Sequence, residues 1–264
     1  MPSLRNQKIN IRDFELNVSY QGTEETTETI VFLHDSLGCI SLWRDFPEKL
    51  GNTLHYRYMS YDRRGYGLSA PFDDKPRLTD YMETEADVLI ELLAQSGIDK
   101  PILFGHSDGG TIALLAAAKY PDKIKAVVTE GAHVFVEDIT LDGIERAKEQ
   151  YHAGLKERLE KYHGAKTQAL FEAWTETWLS EAYRNWNIEH FLPQIQCPVL
   201  VIQGSEDEYG SADQVQAIAQ QTSGPAEACM IINAGHSPHK QSERWVIDCC
   251  YTFLEKHGLV SVTG

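Results

Sequence analysis

The first half of the chain alternates short runs of apolar residues with segments in which apolar residues recur at helical spacing. Three apolar runs have the length and continuity of strands that are buried on both faces of a sheet: 29–34, 55–61 and 101–105. Ahead of them, 8–13 and 14–20 are typical of an antiparallel pair. Because strands that alternate with helices form βαβ units, this half predicts a mostly parallel sheet.

Two helices are predicted within the same half. Apolar residues recur every three or four positions over 79–96, and this helix ends before Gly97, a residue suited to a helix C-terminus. A second helix, rich in Ala and Leu, is predicted over 111–120. It must end at Pro121, because proline lacks the N–H that a helix interior needs.

The pattern changes after one more predicted strand at 125–129. From 134 to 192 no segment has a strand pattern; the spacing is helical and the large aromatic residues are frequent: Tyr151, Tyr162, Phe171, Trp174, Trp178, Tyr183, Trp186 and Phe191. Strand patterns return at 198–204 and 228–233, and a last helix is predicted over 242–257.

These elements predict an α/β protein with an insertion. We expect a core in two parts, 1–133 and 193–264, with a helical cap, 134–192, inserted after the sixth strand. A length of 264 residues leaves room for one such domain and its insert.

Charge and cysteine content restrict the expected partners. The formal net charge is -15 and no basic cluster exceeds the pair at 63–64, so we expect neither nucleic acid nor an anionic membrane surface as a partner. Residues 1–20 have no apolar core of a signal peptide. The five scattered cysteines form no metal-binding pattern. We therefore expect a cytoplasmic protein with reduced, buried cysteines and no metal. We also expect a monomer or homodimer that needs no cofactor.

A candidate nucleophile lies between a predicted strand and a predicted helix. Residues 105–109 read GHSDG and fit the pattern G-x-S-x-G. The glycines allow close backbone packing around a strained serine, and the following helix directs free N–H groups and its positive dipole end at a developing oxyanion. We identify Ser107 as the candidate nucleophile; the alternative is a glycine-rich turn with an idle serine.

A serine hydroxyl needs a base, and the base needs a third group that orients it. The strand at 198–204 runs into three acidic candidates, and the strand at 228–233 runs into His236. The acidic candidates are Glu206, Asp207 and Glu208. Serine, acid and histidine thus follow one another in the order used by one known hydrolase fold.

Five motifs in this order resemble the α/β-hydrolase superfamily: FLHDSLG (32–38), DRRGYGLS (62–69), GHSDGG (105–110), GSED (204–207) and GH (235–236). The resemblance covers nearly the whole chain and implies the α/β-hydrolase fold, with a mostly parallel eight-stranded sheet flanked by helices. The stretches 107–110 and 118–121 are most similar to biphenyl-hydrolase-like enzymes, which include valacyclovir-type α-amino-acid esterases.

The resemblance also implies roles for individual residues. Its spacing favours Asp207 as the acid over the two neighbouring glutamates and over Glu130, which follows the sixth strand, where some members carry the acid. The expected triad is therefore Ser107, Asp207 and His236. His106 is expected to pack beside the turn and His34 to structure its loop rather than titrate in catalysis. His239 is expected to be a rim residue.

The implied oxyanion hole uses two backbone N–H groups. One belongs to Asp108, and the other to Ser36 or to its neighbour Leu37. This chain has Asp35 where the family usually has glycine. The local backbone can therefore differ, and the choice between Ser36 and Leu37 stays open.

Three residues are candidates for substrate binding. In the amino-acid-ester hydrolases that the chain resembles, an acidic residue at the position of Asp108 pairs with the substrate ammonium group. The alternative is that Asp108 only bonds surrounding loops or faces solvent. Trp174 and Trp178 are candidates for an apolar cleft under the cap, although helical spacing of aromatic residues is also typical of a core.

The expected function is hydrolysis of a small carboxylic ester through an acyl-enzyme. A second hypothesis keeps the same triad but cleaves C–C bonds of ring-fission diketones, or acts as a cofactor-free perhydrolase. A third, of a different class, is a ligand receptor on a hydrolase fold. Dehalogenation and epoxide opening need a carboxylate in place of Ser107, so we exclude both.

Overall fold

The computed structural model describes residues 5–21, 26, 28–73 and 77–260, so that 1–4 and 261–264, the ends of the predicted core, lie outside the described residues. Eight strands in the described part form one sheet: β1 (Arg5–Ile11), β2 (Phe14–Gln21), β3 (Thr29–Leu33), β4 (Arg57–Tyr61), β5 (Ile102–His106), β6 (Ala126–Glu130), β7 (Val199–Gly204) and β8 (Ala226–Ile231). Their order across the sheet is β1-β2-β4-β3-β5-β6-β7-β8.

The pairing of the strands confirms the predicted fold class. β1 pairs with β2 and β2 pairs with β4 in antiparallel register. Every other pairing in the sheet is parallel. The carboxyl ends of β3, β5, β6, β7 and β8 therefore open onto one edge of the sheet, where ligands bind in open α/β sheets.

Helices cover both faces of the sheet. They are α1 (Phe46–Leu54), α2 (Tyr81–Gln95), α3 (Asp108–Lys119), α4 (Asp138–Gln150), α5 (Lys156–His163), α6 (Thr167–Trp178), α7 (Ala212–Gln221), α8 (Pro238–Gln241) and α9 (Glu243–Lys256). The central strands send alternate side chains into two apolar layers: Val31 and Leu33 pack with α2 and α3, whereas Ile30 and Phe32 pack with α1 and α9. This period of two is the side-chain alternation of a strand that is buried on both faces.

The segment between β6 and β7 is helical. It contains α4, α5 and α6 with short turns between them, and a bridge between Phe135 and Asn187 joins its two ends. Its helices lie within 134–192, the range for which a cap is predicted. The division of the chain into cap and core stays a prediction.

Two side chains of this segment bind the loops of the sheet edge. His163 accepts a hydrogen bond from the N–H of Gly67 at Nδ1 (2.9 Å) and donates from Nε2 to the carbonyl of Leu37 (3.0 Å). Lys166 donates to the carbonyls of Tyr66 and Ser69. Because Nδ1 of His163 accepts a hydrogen bond from a backbone N–H, this nitrogen carries no proton and the ring is neutral in this arrangement.

The cysteines correct one expectation. Cys229 of β8 and Cys249 of α9 form a disulfide, so the prediction that all five cysteines are reduced was wrong. The two residues are 20 positions apart in sequence and form no recognisable pattern. Cys39, Cys197 and Cys250 are free and buried.

None of the helices in the described ranges combines the length and the apolar character needed to cross a bilayer. The cytoplasmic location stays a prediction.

Substitution of His163 by leucine tests the attachment of the helical segment. Burial lowers the pKa of His163 in the folded protein. As the pH falls, His163 is therefore protonated in the unfolded chain before it is protonated in the folded chain, which lowers the free energy of unfolding. At pH 8 we expect His163→Leu to lower the free energy of unfolding by about 2 kcal/mol, because two hydrogen bonds are lost. The difference should shrink towards pH 5, below the unfolded-state pKa of about 6.5.

Urea unfolding of both proteins at pH 8 and pH 5 measures this difference, and the other buried histidines cancel in the comparison. The exposed His152 of the same segment supplies the control, since His152→Leu removes no such bonds. A difference between His163→Leu and the parent that is equal at both pH values would contradict the neutral, buried state of His163.

Candidate active site

Ser107 lies in the sharp turn between β5 and α3, with φ 54° and ψ -121°. Positive φ is strained for a residue that carries a side chain. The Ser107 N–H holds the turn in place by donating to the carbonyl of Glu130 in β6 (2.8 Å). The flanking glycines are required by space: a Cβ on Gly109 would lie 2.1 Å from the carbonyl oxygen of Leu33, and one on Gly105 would lie 2.2 Å from that of Gly109.

Backbone N–H groups converge beside Ser107. α3 begins at Asp108, and the first N–H groups of a helix have no partner within the helix. Ser36 and Leu37 line the same cavity as Ser107 and Asp108. The N–H of Leu37 already donates to Oδ1 of Asp35 (3.0 Å). Of the two alternatives, the geometry therefore favours the Ser36 amide as the second oxyanion donor.

His236 and Asp207 form a close pair. Nδ1 of His236 lies 2.9 Å from Oδ1 and 3.0 Å from Oδ2 of Asp207. Asp207 also accepts hydrogen bonds from the backbone of Tyr209 and Gly210. Since an ionised carboxylate only accepts, Nδ1 carries the proton and Nε2 has a free lone pair.

The electrostatics of the pair favour this arrangement. Burial raises the pKa of the Asp207 carboxyl, but the facing His236 and the backbone donors outweigh burial and lower it. Burial lowers the pKa of His236, but Asp207 outweighs burial and raises it. Asp207 thus stabilises positive charge on the imidazole, which is what a base needs when it takes a proton.

Ser107 and His236 share one cavity of about 190 Å³. Every residue predicted for the oxyanion hole or for substrate binding also lines it: Ser36, Leu37, Asp108, Trp174 and Trp178. The remaining lining residues are Asp35, His133, Thr140, Ile144, Glu208, Tyr209 and Ser237. Asp207 lies behind His236, outside this lining. The roles of all these residues in a reaction stay predictions.

Neighbouring side chains partly compensate the negative charge of the Asp108 carboxylate. It is buried, accepts a hydrogen bond from Tyr81 (2.9 Å) and lies 3.7 Å from the guanidinium of Arg63. Its Oδ1 has no partner among the described residues. Asp108 therefore bonds its surroundings and also borders the cavity. Its pairing with a substrate ammonium group stays a prediction.

The rival acids lie elsewhere. Glu130 is fully buried and binds both Nδ1 and the backbone N–H of His239. His239 is therefore buried with it, and the expected position of His239 at the rim was wrong. Glu206 is exposed. Glu208 accepts a hydrogen bond from the backbone N–H of His236 (3.0 Å), not from its ring. Of these carboxylates only Asp207 meets Nδ1 of His236.

His34 is occupied on both ring nitrogens. Nε2 accepts from the N–H of Arg63 (3.0 Å), and Nδ1 donates to the carbonyl of Asp35 (2.7 Å). Burial, followed by the charge of Arg63, holds its pKa well below the usual range. His34 therefore shapes its loop as a neutral ring.

Sequence reasoning missed several residues of the cavity wall, among them His133 and Tyr209. His133 comes three residues after the end of β6, at the sheet edge where polar residues were sought after other strands. The same rule applied to β6 could have found it. Thr140 and Ile144 of α4 carried no such signal, because only the fold of the inserted segment brings them to the cavity.

The chain is similar in sequence to known hydrolases. A family model described as the alpha/beta hydrolase fold matches residues 28–188. The human protein "Serine hydrolase BPHL" is 32% identical over 216 residues, which is 78% of this chain and 71% of that protein. A "2-hydroxy-6-oxononadienedioate/2-hydroxy-6-oxononatrienedioate hydrolase 2" of Pseudomonas putida is 26% identical and covers 80% of this chain and 82% of that protein.

Solved structures share the fold. The 2-hydroxy-6-oxo-6-phenylhexa-2,4-dienoate hydrolase of Rhodococcus sp. strain RHA1 superimposes with a TM-score of 0.79 at 16% identity, covering 97% of this chain and 99% of that chain. An enol-lactonase of Burkholderia xenovorans LB400 gives a TM-score of 0.74 at 21% identity, covering 94% of this chain and 100% of that chain. At such identities the likeness concerns the fold alone.

Amide substitution at two carboxylates tests which of them orients His236. We expect Asp207→Asn to lower kcat for 4-nitrophenyl acetate about a thousandfold or more, because the amide no longer fixes the imidazole tautomer or stabilises the imidazolium. Glu130→Gln keeps an acceptor for the His239 N–H and should change kcat by less than about threefold. Steady-state kinetics below the unfolding temperature of all three proteins measures both. The reverse result would assign the acid to the end of β6.

Proposed function

The chain belongs to the alpha/beta hydrolase family, and from this premise we propose that it cleaves small carboxylic esters through an acyl-enzyme formed on Ser107. Family membership confirms the resemblance of the five motifs and makes the chain a hydrolase. The bond that it cleaves and the substrate are the parts that we propose.

Formation of the acyl-enzyme begins with proton transfer. Nε2 of His236 takes the proton of the Ser107 hydroxyl as its oxygen attacks the ester carbonyl carbon. Asp207 holds the proton of Nδ1 and stabilises the imidazolium. The N–H group of Asp108, at the positive end of α3, stabilises the negative charge that develops on the carbonyl oxygen. The N–H group of Ser36, in the loop after β3, stabilises it from a second position.

The imidazolium of His236 then returns its proton to the alcohol that leaves, and the acyl group stays on Ser107. In the second half of the reaction His236 takes a proton from a water molecule, which attacks the acyl carbonyl. The same two N–H groups stabilise the second oxyanion, and the acid product departs as Ser107 recovers its proton.

The charge of the cavity wall is the observation that carries the choice of an ester. Asp35, Asp108 and Glu208 line the cavity, and no lysine or arginine is among its described lining residues. The Pseudomonas putida relative is named for dioate substrates, which carry two carboxylates. Such a dianion would meet like charges here, whereas a neutral or cationic ester would not.

The size of the cavity supports a short acyl group. About 190 Å³ is below the roughly 300 Å³ at which pockets for drug-sized ligands begin. The indole rings of Trp174 and Trp178, with Ile144, supply apolar surface to one side of Ser107. C–C bond cleavage remains the second candidate, because relatives named for it match most of the chain.

A substrate panel tests the proposed function. We expect hydrolysis of acetate, butyrate and valine esters, a rate on ring-fission diketones at least about a hundredfold lower in kcat/KM, and labelling of the parent protein by a fluorophosphonate probe. Ser107→Ala should fold, escape labelling and lack turnover. Preferred cleavage of diketones would establish the second candidate, and a folded parent that neither reacts with the probe nor turns over any substrate would leave a ligand receptor.

Asp108 supplies selectivity for an ammonium group in this proposal. Its charge is already shared with Arg63, so we expect an effect at the low end of an ion pair, about tenfold or 1.4 kcal/mol. Asp108→Asn should lower kcat/KM for a valine ester by that factor relative to the isovalerate ester, which lacks only the amino group, since the backbone N–H of residue 108 remains. The ratio of the two rates cancels any common loss, and an unchanged ratio would make Asp108 structural.

A further inference from the structure

Asp35 replaces the glycine that its motif usually carries, and its side chain makes two contacts. Oδ1 accepts the N–H of Leu37 (3.0 Å), which closes a turn around Ser36. Oδ2 lies 3.2 Å from Nδ1 of His106. Its backbone carbonyl accepts from Gly38 and from Nη2 of Arg63. The carboxylate is therefore held in a fixed position and, in turn, fixes the turn that presents the Ser36 amide.

His106, the residue before Ser107, extends this contact to His236. Nε2 of His106 lies 2.8 Å from the backbone carbonyl of His236, and a carbonyl only accepts, so Nε2 carries a proton. Nδ1 faces the carboxylate of Asp35, whose pKa is well below the usual range because the hydrogen bond and the charge of His106 outweigh burial. Both ring nitrogens of His106 therefore face an oxygen acceptor.

We propose that Asp35 and His106 are positioning residues that lock the oxyanion loop and His236 into one geometry. The inference rests on the ester hydrolysis proposed above. The Asp35–His106 pair joins the loop after β3, the turn before α3 and the loop after β8. Each loop carries one part of the reaction: the Ser36 amide, Ser107 and the ring of His236.

The Asp35–His106 pair is expected to contribute more to the alignment of the site than to the free energy of unfolding. The side chain of His106 is 2% exposed and that of Asp35 is 22% exposed. A largely buried polar pair contributes little to stability compared with apolar residues of the same shape. It does fix direction, and catalytic groups must be held within about 0.5 Å of their productive positions. The pair thus serves alignment better than it serves stability.

Two substitutions at Asp35 separate alignment from charge. Asp35→Gly, the residue usual in the motif, removes both contacts. Asp35→Asn keeps an oxygen for the Leu37 N–H and offers an amide N–H to a neutral His106, which can still donate from Nε2 to the His236 carbonyl. We expect Asp35→Gly to lower kcat for a butyrate ester about ten- to a hundredfold with KM within about twofold, and Asp35→Asn to recover most of the loss.

His106→Phe keeps a ring in place and loses both bonds. We expect it to lower kcat as much as Asp35→Gly, and the double variant to be little worse than either, because the two residues act as a unit. Phosphonylation of Ser107 by a small neutral fluorophosphonate, whose P=O oxygen occupies the oxyanion hole, should slow in parallel. Asp122→Gly, at an exposed carboxylate far from the site, is the matched control.

The outcomes separate this inference from the function on which it rests. Values of kcat within twofold of the parent for Asp35→Gly and His106→Phe would overturn it, as would fully additive losses. A lower melting temperature with unchanged kcat would also overturn it, since the pair would then serve stability alone. If Asp35→Gly does not fold, His106→Phe and Asp35→Asn still decide. A parent protein without esterase activity would instead refute the proposed function.

Discussion

The turn at Ser107 is the constraint on which the rest of the site depends. Its positive φ is an unfavourable conformation, with a cost on the order of 1 to 3 kcal/mol, and persists because β3 and β6 hold the backbone on both sides. Gly109 allows the start of α3 to lie against the end of β3, where any side chain would collide with Leu33. This close approach brings the N-terminus of α3 next to the end of β3, from which the loop that carries Ser36 continues.

Charge is distributed unevenly around that turn. The cavity wall is acidic, and two of its carboxylates face identified partners: that of Asp108 contacts Arg63 and Tyr81, and that of Asp35 faces His106. The pair of Asp207 and His236 follows the same rule. Paired in this way, carboxylates can remain ionised near a cavity of low polarity, where they favour positive charge on a base or on a substrate.

Local patterns predicted most of the fold and failed where contacts between distant segments decide. The strand runs and the proline after α3 specify the parallel sheet, because side-chain alternation and missing N–H groups are properties of a few neighbouring residues. The bond between Cys229 and Cys249 had no local signal, since β8 and α9 are brought together only by packing on the sheet. For the same reason the positions of Thr140 and Ile144 in the cavity wall could not be predicted, since they depend on how the helical segment folds back onto the sheet edge.

The sequence by itself determined the fold class, the order of the elements and the chemical groups available at the ends of the strands, since parallel strands direct those ends to one edge. Only the tertiary structure decided which groups meet. It paired Asp207 with Nδ1 of His236, turned Glu130 towards His239, and bound the Leu37 N–H to the side chain of Asp35. These contacts depend on small differences in the relative positions of loops that are far apart in sequence. No short-range sequence pattern encodes those positions.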